Sequence, residues 1–142
     1  MVLIFGGAYQ GKLDYALERF DLTIDDVGYC IDGDSVYPQD KKVIYEIDKW
    51  ILSLIRNDIN VMDEIKRFLE DNKDTKNSKD KGGDIVNCKD KIVICNDISC
   101  GVVPIDPVMR RWRDEVGKSL GLLAQNSNEV IRLYCGIPTK LK

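Results

Sequence analysis

The sequence contains no histidine among its 142 residues. A protein without histidine has no imidazole to act as a general base, to ligate a metal, or to carry a phosphoryl or nucleotidyl group. Its five cysteines include no C-x-x-C pair, so a zinc site is not expected either. We expect reduced thiols packed in the core. The cysteines are Cys30, Cys88, Cys95, Cys100 and Cys135.

Long apolar runs and an excess of one charge are also missing. No run approaches the roughly 18 apolar residues of a membrane helix, and the opening MVLIFGG lacks the basic flank of a signal peptide. The formal net charge is −3, which gives no general attraction to nucleic acid or to an anionic membrane. We therefore expect a cytoplasmic protein with no nucleic-acid partner and no membrane span, in which residues 1–142 form a single domain.

Short apolar runs alternate with segments of helical periodicity. The runs cover 2–5, 27–31, 42–48, 91–95 and 129–136, and the helical segments cover 11–20, 49–57, 59–71 and 104–125. Strands separated by helices predict an α/β fold with a mostly parallel sheet covered on both faces. In the last helix, Asp106 is placed to cap the N-terminus and Pro107 suits the first turn. Segment 72–84 contains no apolar residue, which predicts a mobile polar loop.

Gly6 is followed by four residues and then Gly11-Lys12, the frame of the phosphate-binding loop G-x-x-x-x-G-K-[ST]. We expect the loop amides to form an anion nest at a helix N-terminus and Lys12 to reach the β and γ phosphates of ATP or GTP. The nucleotide-binding residues would be Gly6, Gly7, Ala8, Tyr9, Gln10, Gly11 and Lys12. The alternative is a tight strand-to-helix turn with a surface lysine.

Leu13 stands where a serine or threonine normally ligates Mg²⁺, which weakens the predicted metal site. The ion could still be held by phosphate oxygens, water and a carboxylate. Glu46, predicted inside the third strand, is the first candidate and Asp48 the second; alternatively, one of them caps the following helix. Asn96 and Asp97 follow a strand at the edge where open α/β sheets bind ligands, or they cap a turn.

The stretch 95–142 resembles the bifunctional adenosylcobinamide kinase / adenosylcobinamide-phosphate guanylyltransferases of cobalamin biosynthesis. Four motifs carry the resemblance: Asn96-Asp97-Ile98, GVVP at 101–104, RRWRD at 110–114 and GIP at 136–138. The loop GGAYQGKL is similar to the family's GGARSGKS. The segment YEIDKWIL is similar to the family's acidic strand, which implies a catalytic and metal-binding role for Glu46 beside the catalytic Lys12.

The resemblance implies a P-loop NTPase-like fold, a corrinoid substrate and a homotrimer, and it favours a site role for Asn96 and Asp97. The family's guanylyl transfer uses a histidine on a helix, where this chain has only DGDSVYPQDKK (32–42). We therefore expect a kinase that phosphorylates adenosylcobinamide without guanylyl transfer, or alternatively a degenerate nucleotide- or corrinoid-binding relative. The arginines of RRWRD could contact phosphate or a neighbouring subunit, or form a solvated helix face.

Overall fold

A computed structural model describes residues 1–72, 90–99 and 101–142. Its elements, in chain order, are β1 (Val2–Gly6), α1 (Lys12–Phe20), β2 (Val27–Tyr29), β3 (Val43–Tyr45), α2 (Ile47–Arg56), α3 (Val61–Asp71), β4 (Ile92–Asn96), α4 (Pro107–Asn126), β5 (Glu129–Tyr134) and β6 (Ile137–Lys140). A 3₁₀ turn, Ile24–Asp26, precedes β2. The polar loop predicted at 72–84 lies, after Asn72, outside the described residues.

The six strands of the described residues form one sheet in the order β2-β3-β4-β1-β5-β6. All neighbouring strands are parallel except β6, which is antiparallel to β5. Strand β1 is central, and its last residue, Gly6, is in register with Asn96 of β4 and Leu133 of β5. Because parallel strands end at the same edge, the segments after β1, β3 and β4 meet there. The predicted α/β class is confirmed.

Helices cover both faces of the sheet because side chains alternate along each buried strand. On one face, Leu3 and Val93 pack with the apolar faces of α2, α3 and α4. On the other face, Val2 and Ile4 pack against α1. The aromatic rings of Tyr37, Trp50 and Phe68 pack together in the first of these clusters. Within the described residues, no helix is both long and apolar enough to span a bilayer.

Helix α4 begins as predicted. The Asp106 carboxylate accepts the Val108 N–H at 2.9 Å, and Pro107 occupies the first turn. The apolar residues that recur at helical spacing along α4 pack only in part against the core. Val116 and Leu123 are buried, and Trp112 and Leu120 are partly buried against the core. Val108, in the first turn, is 41% exposed.

Three predicted strands end earlier in the structure. The run 27–31 is a strand only over Val27–Tyr29. The run 42–48 is a strand only over Val43–Tyr45, so Glu46 and Asp48 do not lie in it: Glu46 precedes α2 with φ 60°, and Asp48 lies in the first turn of that helix. The run 129–136 ends as a strand at Tyr134, and the turn Cys135-Gly136 leads into β6, which was not predicted. All four residues of β6 are exposed, so the sequence has no buried apolar pattern there.

Candidate functional site

The phosphate loop connects β1 to α1. It turns through Tyr9 and Gly11, whose φ angles of 58° and 73° are in the left-handed region, and α1 begins at Lys12. No side chain caps this helix start, and the first N–H groups of a helix have no partner inside the helix. The loop therefore presents backbone donors and the positive end of the α1 dipole at the edge where β1 ends.

Lys12 is a buried cation rather than the surface lysine of the alternative interpretation. The residue is only 4% exposed, and its Nζ donates to the Gly7 carbonyl at 2.6 Å. Burial lowers the pKa of Lys12, and the nearby Asp48, Cys95 and Glu46 oppose that shift. A desolvated ammonium held inside an anion nest interacts with a bound phosphate more strongly than one in water does.

Asp48 and Asn96 join α2 to the end of β4. The Asp48 carboxylate accepts the Asn96 backbone N–H at 2.9 Å and the Asn96 side-chain amide at 3.2 Å. Asp48 is 2% exposed, and burial raises its pKa although the bonds from Asn96 oppose the shift. Next to it, Glu46 forms an ion pair with Lys49 at 2.5 Å. The two carboxylates thus stand at the N-terminus of α2, close enough to influence the Lys12 ammonium.

A cavity of about 470 Å³ brings most of the predicted site residues together. It is lined by Ala8, Tyr9, Gln10, Gly11, Lys12, Leu13, Asp14, Tyr45, Glu46 and Asn96. Gly6 and Gly7 are not among the lining residues, but Gly7 supplies the carbonyl that accepts from Lys12. Sequence reasoning missed Asp14 and Tyr45, because a single carboxylate beside Leu13 and a tyrosine at a strand end carry no motif.

Asp97 does not line the cavity. Its backbone N–H donates to the Gly6 carbonyl at 2.8 Å, and its carboxylate accepts the Ser99 N–H at 3.1 Å. The same carboxylate lies 4.0 Å from the Arg132 guanidinium. These contacts match the alternative interpretation in which Asp97 caps a turn. Through them, Asp97 shapes the segment that follows β4.

The arginines of α4 hold that segment in place. Arg113 donates to the Gly101 carbonyl at 3.1 Å, and Arg110 donates to the Ile105 carbonyl at 2.8 Å. Between them, Trp112 donates its indole N–H to the Asp48 carbonyl at 2.7 Å and packs against the core. Helix α4 therefore supports both the start of α2 and the chain leaving β4, while Arg111 is exposed.

The described residues offer few protein ligands for Mg²⁺. No group of three or more histidine, cysteine, aspartate or glutamate side chains among them could hold a metal. The Leu13 side chain has no oxygen, and it packs partly buried against the core. Glu46 and Asp14 are the carboxylate residues in the lining of the cavity, so a Mg²⁺ ion there would depend on phosphate oxygens and water for most of its ligands.

The thiols divide by burial. Cys30 and Cys95 are buried and free, as predicted, and burial raises the pKa of Cys30 to about 12. Cys135 is free but exposed, so its predicted place in the core was wrong. Cys88 and Cys100 lie outside the described residues.

Residues 39–141 match the family model described as cobinamide kinase / cobinamide phosphate guanyltransferase. The chain belongs to this family. The match supports a role in cobamide biosynthesis and accords with a P-loop NTPase-like fold. The phosphate loop precedes the matched residues, so its assignment depends on the loop pattern and on the geometry described above. The comparison with curated proteins found no match.

The buried Asp48 should make stability depend on pH. A carboxyl whose pKa is higher in the folded chain stabilises the fold at low pH, and this contribution is lost as the pH rises above its ordinary pKa of 3.8. We expect Asp48→Asn to reduce the fall in the free energy of unfolding between about pH 4 and pH 7. Urea denaturation at stepped pH measures the slope. Asp25→Asn, at an exposed position, is the control, and an Asp48→Asn curve parallel to wild type would contradict the prediction.

Proposed function

We propose that this protein is a cobinamide kinase that transfers the γ-phosphate of ATP or GTP to the hydroxyl of adenosylcobinamide, without guanylyl transfer. One observation carries the proposal: the buried Lys12 ammonium points into the phosphate loop at the cavity that Glu46 and Asn96 also line. Family membership supports the corrinoid as the acceptor. As a further proposal from the resemblance, the active protein is a homotrimer.

The proposed reaction needs positioning and charge stabilisation more than covalent chemistry. Loop amides and Lys12 hold the β and γ phosphates and balance the charge that develops on them. The acceptor oxygen bonds to the γ-phosphorus as the bond to the β–γ bridging oxygen breaks. Glu46 takes the hydroxyl proton or orients it towards water. Mg²⁺, when bound, supplies further charge neutralisation on the phosphate oxygens.

The absence of histidine argues against the second activity of the family. A guanylyl intermediate on histidine has no residue to form on in this chain. Residues 30–42, all of them described, contain neither helix nor strand, whereas the resemblance places the histidine-bearing helix in this interval. The proposed product is therefore the corrinoid phosphate.

A second candidate function is nucleotide or corrinoid binding without catalysis. Two observations favour it: Leu13 packs against the core where a metal-ligating hydroxyl would stand, and Glu46 is already paired with Lys49. Both features reduce the ligands available to Mg²⁺, but neither blocks the loop amides or Lys12. Binding would then survive while turnover is lost.

The test incubates the purified chain with adenosylcobinamide, Mg²⁺ and γ-labelled ATP or GTP. We expect label in the corrinoid, and no label in corrinoid or protein when GTP carries it on the α-phosphate. Nucleotide that raises the unfolding temperature without any product would favour the binding function. A chain that turns over neither nucleotide, and that binds neither nucleotide nor adenosylcobinamide, would refute both functions.

Leu13→Ser should increase magnesium-dependent turnover. The substitution restores a hydroxyl next to Lys12, and we expect a rise in kcat of about tenfold, since one added ligand orients the ion. Loss of the half-buried leucine should lower the free energy of unfolding by about 1 kcal/mol. Leu13→Ala is the matched control, because it loses the same packing without gaining the hydroxyl. Equal rates for the two variants would contradict the assignment of this position.

A further inference from the structure

We propose that the turn between β5 and β6, residues 134–137, is the subsite for the purine base of the bound triphosphate. The proposal rests on the proposed function and extends it by naming the surface that recognises the nucleoside. It uses residues that the phosphate-loop pattern does not contain: Tyr134, Cys135 and Ile137.

The turn is attached directly to the phosphate loop. The Gln10 side-chain oxygen accepts the backbone N–H of Cys135, across 125 positions of sequence. Strand β5 is paired with β1 up to Leu133, which is in register with Gly6. Tyr134 and the turn therefore begin where the phosphate loop begins, on its β5 side.

Backbone strain accompanies this contact. Cys135 and Tyr9 both adopt left-handed φ angles, 50° and 58°, although neither is glycine. Such conformations are unfavourable for residues other than glycine and are frequent at ligand sites. Gln10, which follows Tyr9, links the two strained positions, so the turn and the loop hold each other in place.

The expected orientation of the bound triphosphate also points its base towards the turn between β5 and β6. In the proposed reaction Lys12, Glu46 and Asn96 lie at the γ-phosphate end; Glu46 follows β3 and Asn96 ends β4, and both strands lie on one side of β1. The nucleoside is attached to the α-phosphate, at the opposite end of the chain of phosphates. It therefore leaves the loop towards the other side of β1, where β5 and β6 lie.

The side chains at the turn suit a flat, apolar ligand. Tyr134 is 68% exposed and Ile137, its partner in register, is 67% exposed, while Tyr9 on the loop is fully exposed. A base that stacks on such a surface buries apolar area that water now covers. Stacking tolerates different bases, so this subsite should accept both ATP and GTP.

Calorimetric titration of wild type and Tyr134→Ala, with ATP, GTP and inorganic tripolyphosphate, tests the subsite. We expect Tyr134→Ala to weaken nucleoside triphosphate binding about tenfold and to leave tripolyphosphate binding unchanged. The matched control is Tyr29→Ala, a half-exposed tyrosine on the strand at the opposite edge of the sheet. Tyr29→Ala should change neither the affinity for the nucleoside triphosphates nor the affinity for tripolyphosphate.

Alkylation gives a second measurement that needs no substitution. Cys135 is exposed, so iodoacetamide should modify it, and mass spectrometry locates the product. ATP should slow this modification more than tripolyphosphate does, because only ATP carries a base. Equal effects of Tyr134→Ala on both ligands, or equal protection by both, would overturn the subsite while leaving the kinase proposal intact. Wild-type protein that binds neither ligand would overturn the proposed function and the subsite with it.

Discussion

Lys12→Met should lower kcat/KM for the proposed corrinoid phosphorylation about 10³-fold, the usual cost of removing one group that stabilises transition-state charge. Methionine fills much of the same volume without an ammonium, so the variant isolates the loss of charge. The free energy of unfolding should change by no more than about 1 kcal/mol. Lys12 is buried and its pKa is lowered by that burial, which means that its charge costs stability when no phosphate is bound.

The measurement is steady-state phosphorylation together with urea denaturation of the same preparations. Lys12→Arg is the control that keeps the positive charge but changes the shape of the side chain. We expect this variant to lack activity as well, because a planar guanidinium is too wide for a site in which the residue is only 4% exposed. Lys12→Met activity within tenfold of wild type would mean that this ammonium does not act on the transferred phosphate. Lost activity accompanied by a large loss of stability would instead assign Lys12 a structural role.

Local signals gave the parts of the fold that depend on neighbouring residues. Asp106 and Pro107 predicted the start of α4, because capping involves the next two or three residues only. Gly6, Gly11 and Lys12 predicted a strand, a turn and a helix, and the structure places that turn between β1 and α1. Such features are readable from sequence because the partners are close along the chain.

Strand and helix patterns overlapped at Glu46. The run KVIYEID has the apolar and β-branched residues of a buried strand, but Ile47, Trp50, Ile51 and Leu54 also recur at helical spacing, and all four are buried on α2. The packing of α2 against α4 and the sheet determines where β3 ends and the helix begins. These contacts join residues far apart in the sequence, so a short sequence window does not include them. Strand β6 was missed for a related reason: its main contribution is backbone pairing with β5, and its side chains are exposed.

The contact between Asp48 and Asn96 could not be predicted from the sequence either. These residues are 48 positions apart, and the sheet order, with β4 between β1 and β3, brings them together. Sequence reasoning proposed the two residues separately. Asp48 was the second candidate for a metal ligand, and Asn96 was a candidate because it lies at the sheet edge where ligands bind. The hydrogen bonds between Asp48 and Asn96, and the bond from the Cys135 backbone N–H to the Gln10 side chain, could be found only from the sheet topology.

Gly6→Ala should be the most destabilising of the substitutions considered. A Cβ at this position would lie 2.3 Å from the Leu133 carbonyl oxygen and 3.2 Å from its carbon. Both atoms belong to the backbone of β5, so relief requires β1 and β5 to separate at the point where they are in register. We expect the free energy of unfolding to fall by about 3 kcal/mol. Nucleotide affinity should fall as well, because the phosphate loop begins at this residue.

Gly117→Ala provides the matched control, since the added Cβ there meets no heavy atom within 4 Å. It lies inside α4, where replacing glycine by alanine should raise the free energy of unfolding by about 0.5–1 kcal/mol. Urea denaturation of both variants, with nucleotide titration at a temperature where Gly6→Ala stays folded, measures the contrast. If Gly6→Ala were as stable as wild type, β1 and β5 could not be as close as described. The start of the phosphate loop would then be less tightly packed than this geometry shows. The argument for a preformed anion nest would fail as a result.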